Sequence, residues 1–150
     1  MSELPLILQV EDDPNDVMLM ELIHRRGKFA SRLHVVGDGE EAVGYLQGLD
    51  HFVDRPLNPF PKLVLLDLKL PKKSGLEVLQ WMRSNPTTRR LPVLMLTSSN
   101  QPEDIKSAYD LGVNSYLIKP SDLDTLAAML KMIHEYWLSM NQSVLLEISA

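Results

Sequence analysis

The chain has 150 residues, 45% of them hydrophobic and 23% charged, enough to build one domain around its own core. A net charge of −5 argues against a nucleic-acid surface, where a basic stripe is expected, and no run approaches the apolar length of a membrane span. Zero cysteines exclude disulfides and thiolate metal sites; with an N-terminus (Met-Ser-Glu-Leu-Pro) that lacks signal-peptide character, this points to a cytoplasmic address.

Leu6–Val10 reads as a strand, apolar along its length and followed by Glu11-Asp12-Asp13. Pro14-Asn15-Asp16 opens a helix through about Arg26, with Gly27 as its stop. A second strand covers residues 33–37. Ala42, Val43, Leu46 and Leu49 then recur at helical spacing. Residues 50–61, with Pro56, Pro59 and Pro61, predict a semi-rigid loop rather than a domain linker. Leu63–Leu66 is the third strand and ends in Asp67. Pro71 and Gly75 bracket a tight loop before a helix carrying Leu76, Val78, Leu79 and Met82. Residues 92–96 form a fourth strand, ending in Thr97-Ser98-Ser99. A short helix over 103–111 stops at Gly112, and Ser115–Ile118 is the last strand. Ser121-Asp122 caps a final helix that reaches about Met140.

Five alternating strand–helix units predict a (βα)5 flavodoxin-like, doubly wound parallel sheet in the order 2-1-3-4-5, within a single domain. In such sheets the functional crevice lies beyond the carboxyl ends of the strands. Strands one and three would be neighbours, with backbones about 4.8 Å apart, so Glu11, Asp12 and Asp67 converge there. Carboxylates packed so closely repel one another, and a divalent cation relieves the repulsion. Asp13 is expected to face the helix start, where the dipole favours a carboxylate. His24, His34, His51 and His134 lack ligand spacing and are expected to be structural or at the surface.

The ordered set Glu11-Asp12-Asp13, Asp67, Pro71, Gly75, Thr97-Ser98 and Lys119-Pro120 resembles the receiver domains of two-component response regulators, over about residues 6–137. The resemblance implies that Asp67 is a nucleophile taking a phosphoryl group from a phosphohistidine. It also implies that Asp12 binds Mg²⁺ (or Mn²⁺) directly, that Glu11 holds the ion through water, and that the Lys69 carbonyl supplies a further oxygen. Lys119 would pair with phosphoryl oxygens, and its bond to Pro120 would be cis. Thr97 would donate its hydroxyl to the phosphoryl group, and Tyr116, at the aromatic switch position, would then turn inward. Lys69 and Ser99, each two residues beyond a site residue, would flank the water that removes the group.

The stretches at 10–16, 66–75 and 96–99 look like those of stand-alone regulators paired with bacterial phytochrome kinases. That implies a sensor histidine kinase as donor; a phosphorelay intermediate or a receiver for another kinase is the alternative. An enzyme of the haloacid-dehalogenase type would carry a second Asp two residues after its nucleophile, where this chain has Lys69. On the last helix, Ala128, Met129, Met132 and Tyr136 form a second apolar stripe beside an inner one of Leu123, Leu126, Leu130, Ile133 (or His134) and Trp137. The second stripe predicts a symmetric homodimer through this helix, with Met129, Met132 and Tyr136 in the interface. Residues 144–148 are expected to fold back or to reach the partner subunit.

Overall fold

The computed structural model describes residues 4–49 and 52–144. In chain order the elements are β1 (Leu6–Val10), α1 (Pro14–Gly27), β2 (Arg32–Val36), α2 (Gly39–Gln47), β3 (Leu63–Leu66), α3 (Gly75–Ser84), β4 (Val93–Thr97), α4 (Pro102–Asp110), β5 (Ser115–Ile118) and α5 (Leu123–Ile133). A π-helical segment, His134–Met140, continues α5. The strands pair in parallel in the order β2-β1-β3-β4-β5, the order predicted.

β1, β3 and β4 are buried along their whole length, so alternate side chains feed two separate cores. Leu8, Val10, Leu66 and Met95 pack toward Tyr45, Leu79, Met82 and Ala108 of α2, α3 and α4. Ile7, Leu65, Leu94 and Leu96 pack toward Met20 and Ile23 of α1 and Leu130 and Ile133 of α5. Each such side chain contributes about 1.5–3 kcal/mol by leaving water.

Register then aligns the strand ends. Val10 stands opposite both Val36 and Leu66, and Thr97 opposite Ile118. The ladder runs one residue further, through Glu11 N–H to the Val36 carbonyl (3.0 Å), Asp67 N–H to Val10 (3.1 Å) and Lys119 N–H to Thr97 (2.8 Å). Glu11, Asp67 and Lys119 therefore leave the sheet along one edge. Asp13 caps α1 at that edge by accepting the Asn15 N–H at 2.9 Å, as expected of it. Ser74 and Glu77 form a capping box that starts α3. Gly75 closes the corner: a Cβ there would collide with the carbonyl oxygen of Asp67.

Several boundaries differ from expectation. Gly27 lies inside α1, and Lys28 takes the left-handed turn instead, at φ 50°. Gly27 is needed for packing, since a Cβ would run into the Phe29 ring. Leu49 falls outside α2 and is exposed, because Gly48 ends the helix in the left-handed conformation. On the last helix Met132 and Tyr136 are exposed, but Met129 is half-buried against the α1–α5 core. It precedes the buried Ile133 by four residues, one helical turn, so it borders that residue's inward face. Leu123, assigned to the inner stripe, is exposed in the first turn of α5. Lys119–Pro120 is trans, since no peptide bond among the described residues is cis. Trans is the intrinsically favoured isomer, and here it still lets Lys119 N–H reach Thr97.

The connection before β3 is ordered where described. Phe52 is buried, the Tyr45 hydroxyl donates to the Pro59 carbonyl (2.8 Å), and the Arg55 guanidinium lies over the Tyr45 and Phe60 rings. His24 and His134 flank Phe29 on the α1–α5 face, while His34 packs against Tyr45 and Phe52. His51 and all of the tail beyond Val144 lie outside the described residues.

Candidate functional site

At the carboxyl edge the strand ends enclose an open cleft of about 640 Å³, lined by Glu11, Asp12, Asp16, Asp67, Thr97 and Lys119 among others. Lys119 Nζ sits at its centre, 2.5 Å from Glu11 Oε1, 2.8 Å from Asp16 Oδ2 and 3.2 Å from Asp67 Oδ2. Carboxylate oxygens of Glu11, Asp12 and Asp67 lie within 4.8 Å of one another. Three carboxylates thus contact one ammonium and a fourth, Asp12, shares the cleft, an excess of acidic groups that favours a further cation.

Each acid has a distinct environment. Glu11 is buried, with Oε1 on Lys119 and Oε2 accepting the Asp13 N–H at 3.1 Å. Burial pushes its carboxyl up to about 7, outweighing the downward pull of the Lys119 hydrogen bond. Asp67 is nearly buried, its Oδ1 accepting the Leu68 N–H at 2.7 Å and its Oδ2 facing Lys119. Asp12 is exposed and projects into the cleft mouth with Lys69. Burial alone would lower the Lys119 ammonium, but its hydrogen bonds to Asp16 and Glu11 and the Asp67 charge hold it above the ordinary lysine value. Lys119 therefore stays charged throughout the neutral range.

The donor set fits a hard divalent ion. Mg²⁺ takes oxygens at about 2.0–2.1 Å in an octahedron and retains waters, so ligands stand at most about 4.2 Å apart across it. Three acid oxygens within 4.8 Å meet that requirement if one of them is reached through water. Glu11, the most deeply buried of the three and held by Lys119 and the Asp13 N–H, is the acid suited to the water-mediated place.

Opposite the acids, Thr97 ends β4, buried, and its Oγ1 accepts the Ser99 N–H at 3.4 Å. Tyr116, outside the cleft lining, packs half-buried against the α2–α4 core and donates its hydroxyl to the Ser99 carbonyl at 2.9 Å. Tyr116 therefore stands inward in this structure, where the resemblance implied an inward turn after phosphorylation; the Ser99 carbonyl gives its hydroxyl a partner there. The structure brings Glu11, Asp12, Asp67, Thr97 and Lys119 together, with Lys69 at the rim. It adds Asp16, which the sequence reading used only to open α1. The available signal was an acid in the first turn of a helix whose N-terminus faces the crevice.

The model of the response regulator receiver domain matches residues 7–131. The chain belongs to the response regulator receiver family. This receiver is 41% identical over 138 residues to the probable methanogenesis regulatory protein FilR2 of Methanothrix harundinacea, across 92% of this chain and 86% of the relative. It is 38% identical over 133 residues to response regulator Rcp1 of Synechocystis, across 89% and 88% of the two chains. The crystal structure of the phosphorylated cyanobacterial phytochrome response regulator RcpA superposes with a TM-score of 0.85 at 37% identity, covering 93% of this chain and 97% of that one. The Mn²⁺-bound form of Rcp1 superposes at 0.82 with 35% identity, covering 94% and 99%. This is a signalling receiver close to the phytochrome response regulators, with the phosphoacceptor fold of a two-component system. Among its described residues no helix is long and apolar enough to cross a membrane.

Proposed function

We propose that this receiver acts as a stand-alone cytoplasmic regulator, accepting a phosphoryl group on Asp67 from a sensor histidine kinase in a Mg²⁺-dependent reaction. The observation that carries the assignment is Lys119 Nζ bridging Asp67, Glu11 and Asp16 beside the Glu11–Asp12–Asp67 cluster. Asp67 Oδ2, which faces Lys119 at 3.2 Å across the cleft, is the nucleophilic oxygen, because Oδ1 is tied more closely to the Leu68 N–H at 2.7 Å. Its attack on a phosphohistidine forms the acyl–phosphate bond and breaks the phosphorus–nitrogen bond, returning the histidine of the donor. Lys119 neutralises charge on the transferred group as a compact cation. Asp12 and Asp67 would hold the metal directly, Glu11 through water and Lys69 by its carbonyl; the bound ion would screen the acids and the incoming phosphate. Thr97 is within the same cleft to donate its hydroxyl to the new oxygens. The same groups catalyse no reaction beyond gain and loss of this phosphoryl group.

A phytochrome-type kinase is the favoured donor, supported by likeness to RcpA and Rcp1 across nearly the whole chain. Exposed Met132, Tyr136 and Met140, with half-buried Met129 at their border, make the last helix the dimer surface. Acetyl phosphate with Mg²⁺ should add one phosphoryl group by intact mass, and Asp67→Asn should abolish it; undiminished labelling of that variant moves the acceptor elsewhere. Met132→Glu should weaken the dimer at least about tenfold through burial of a charge. Unchanged sedimentation would remove this helix from the interface.

A further inference from the structure

Ser99 has every polar group engaged, and each bond leads to a different part of the molecule. Its N–H donates to Thr97 Oγ1 at 3.4 Å and its carbonyl accepts from the Tyr116 hydroxyl at 2.9 Å. Its own hydroxyl donates to Asp104 Oδ2 at 2.5 Å, while the same oxygen accepts the Gln101 N–H at 3.3 Å. The strongest of these is the one to the carboxylate, since hydrogen bonds to an ionised acceptor are shorter and about twice as strong as neutral ones.

Asp104 stands in the first turn of α4, where the helix dipole favours an acid. The N-cap residue, Gln101, makes no side-chain cap of its own, so Ser99 and Asp104 brace this helix start in its place. From the same helix Tyr109 reaches β5, its hydroxyl accepting the Tyr116 N–H at 3.2 Å. Helix α4 thus holds Tyr116 at both ends: at the backbone through Tyr109, and at the phenol through Asp104 and Ser99.

We propose that Asp104 is a positioning residue for the switch: by fixing the Ser99 hydroxyl it aims the Ser99 carbonyl at Tyr116 and sets the loop that carries Thr97. The inference rests on Asp67 being the phosphoacceptor. Without the carboxylate, Ser99 can turn, and the half-buried Tyr116 hydroxyl loses its partner and moves outward to find water. If the inward Tyr116 favours the arrangement of the Thr97 loop in which Asp67 accepts the phosphoryl group, releasing Tyr116 lowers the population of that arrangement and with it the rate of labelling.

The test uses the full chain with acetyl phosphate and Mg²⁺. Asp104→Ala should slow labelling at subsaturating donor by about threefold to tenfold, the range that follows from losing the neutral Tyr116–Ser99 bond that Asp104 positions. Mg²⁺ affinity by calorimetry should stay at the wild-type value, because Asp104 stands outside the Glu11–Asp12–Asp67 cluster. The Tyr116 ring resonances should shift toward those of an exposed tyrosine. Asp104→Asn, which keeps an acceptor oxygen, should restore most of the rate. Ser99→Ala should reproduce the loss, and the double variant should be no slower than either single one. Wild-type rates in Asp104→Ala, or losses that multiply in the double variant, would overturn the assignment. Failure of the wild-type protein to label at all would instead sink the phosphoacceptor reading.

Discussion

On the wall of the cleft built from β1, α1 and the end of β5, Lys119 meets three carboxylates at 2.5, 2.8 and 3.2 Å. On the other wall, Thr97 receives one N–H at 3.4 Å, and behind it, outside the cleft lining, Tyr116 gives its hydroxyl to one carbonyl at 2.9 Å. The first wall is a partly buried network of charges, in which removing one partner strands the others. The second consists of neutral bonds worth about 0.5–1.5 kcal/mol each, which exchange cheaply. The difference suits the acidic wall to the proposed anchoring of a metal ion, and the hydroxyl wall to the proposed movement.

The sharpest way to break this division is to cut the acidic wall where it is exposed. Asp12→Ala should lower Mg²⁺ affinity by at least about tenfold, read by calorimetry, because a hard ion loses a directly bound oxygen. Unchanged affinity would put the ion elsewhere.

Glu11→Gln should act on stability and metal binding in opposite directions. An ordinary glutamate ionises near 4.5, and Glu11 at about 7. Between those values the unfolded chain is ionised at this position while the folded one keeps its proton. The cost of ionising Glu11 in the fold is therefore absent below 4.5, grows toward 7 and is constant above it. The substitution removes that cost. The metal-free protein should gain about 1–2 kcal/mol near pH 8 and nothing at acid pH, by denaturant titration. A variant less stable at every pH would mean that the ion pair with Lys119 outweighs burial.

The smallest effect is expected on the other wall. Thr97→Ala should change stability by less than about 1 kcal/mol and leave labelling of Asp67 in place. Phosphorylation should then no longer alter the Tyr116 ring resonances. A persisting response would detach the aromatic residue from Thr97.

The same contrast governs what was legible in the sequence. Glu11, Asp12, Asp67 and Lys119 stand directly after apolar runs, so identifying the strands and their order put them on one edge. The neutral wall was only half visible. Thr97 and Tyr116 were found by resemblance, but the bond from Tyr116 to Ser99 spans 17 positions and depends on where a loop carbonyl points, which no local pattern encodes. Asp16 was overlooked because an acid in a first helical turn already has a local explanation in the dipole. Gly27 misled for a related reason: a glycine near a helix end suggests a stop, whereas this one makes room for Phe29. The π-helical segment that continues α5 has no compositional signature, and the half-buried setting of Met129 depends on packing against α1 and the sheet.

Gly75 carries a consequence for how the acceptor is held. Its bare α-carbon rests against the carbonyl of Asp67, and its own N–H donates to Leu68 at 2.8 Å. The peptide that bears the nucleophile is thus wedged between a strand end and the opening of the following helix. A single methyl group at position 75 would press on that peptide and misalign the reactive oxygen. Responsiveness to a donor could be lost in this way with every polar side chain of the crevice still present. Part of the chemistry of this receiver is therefore written in a side chain that is missing.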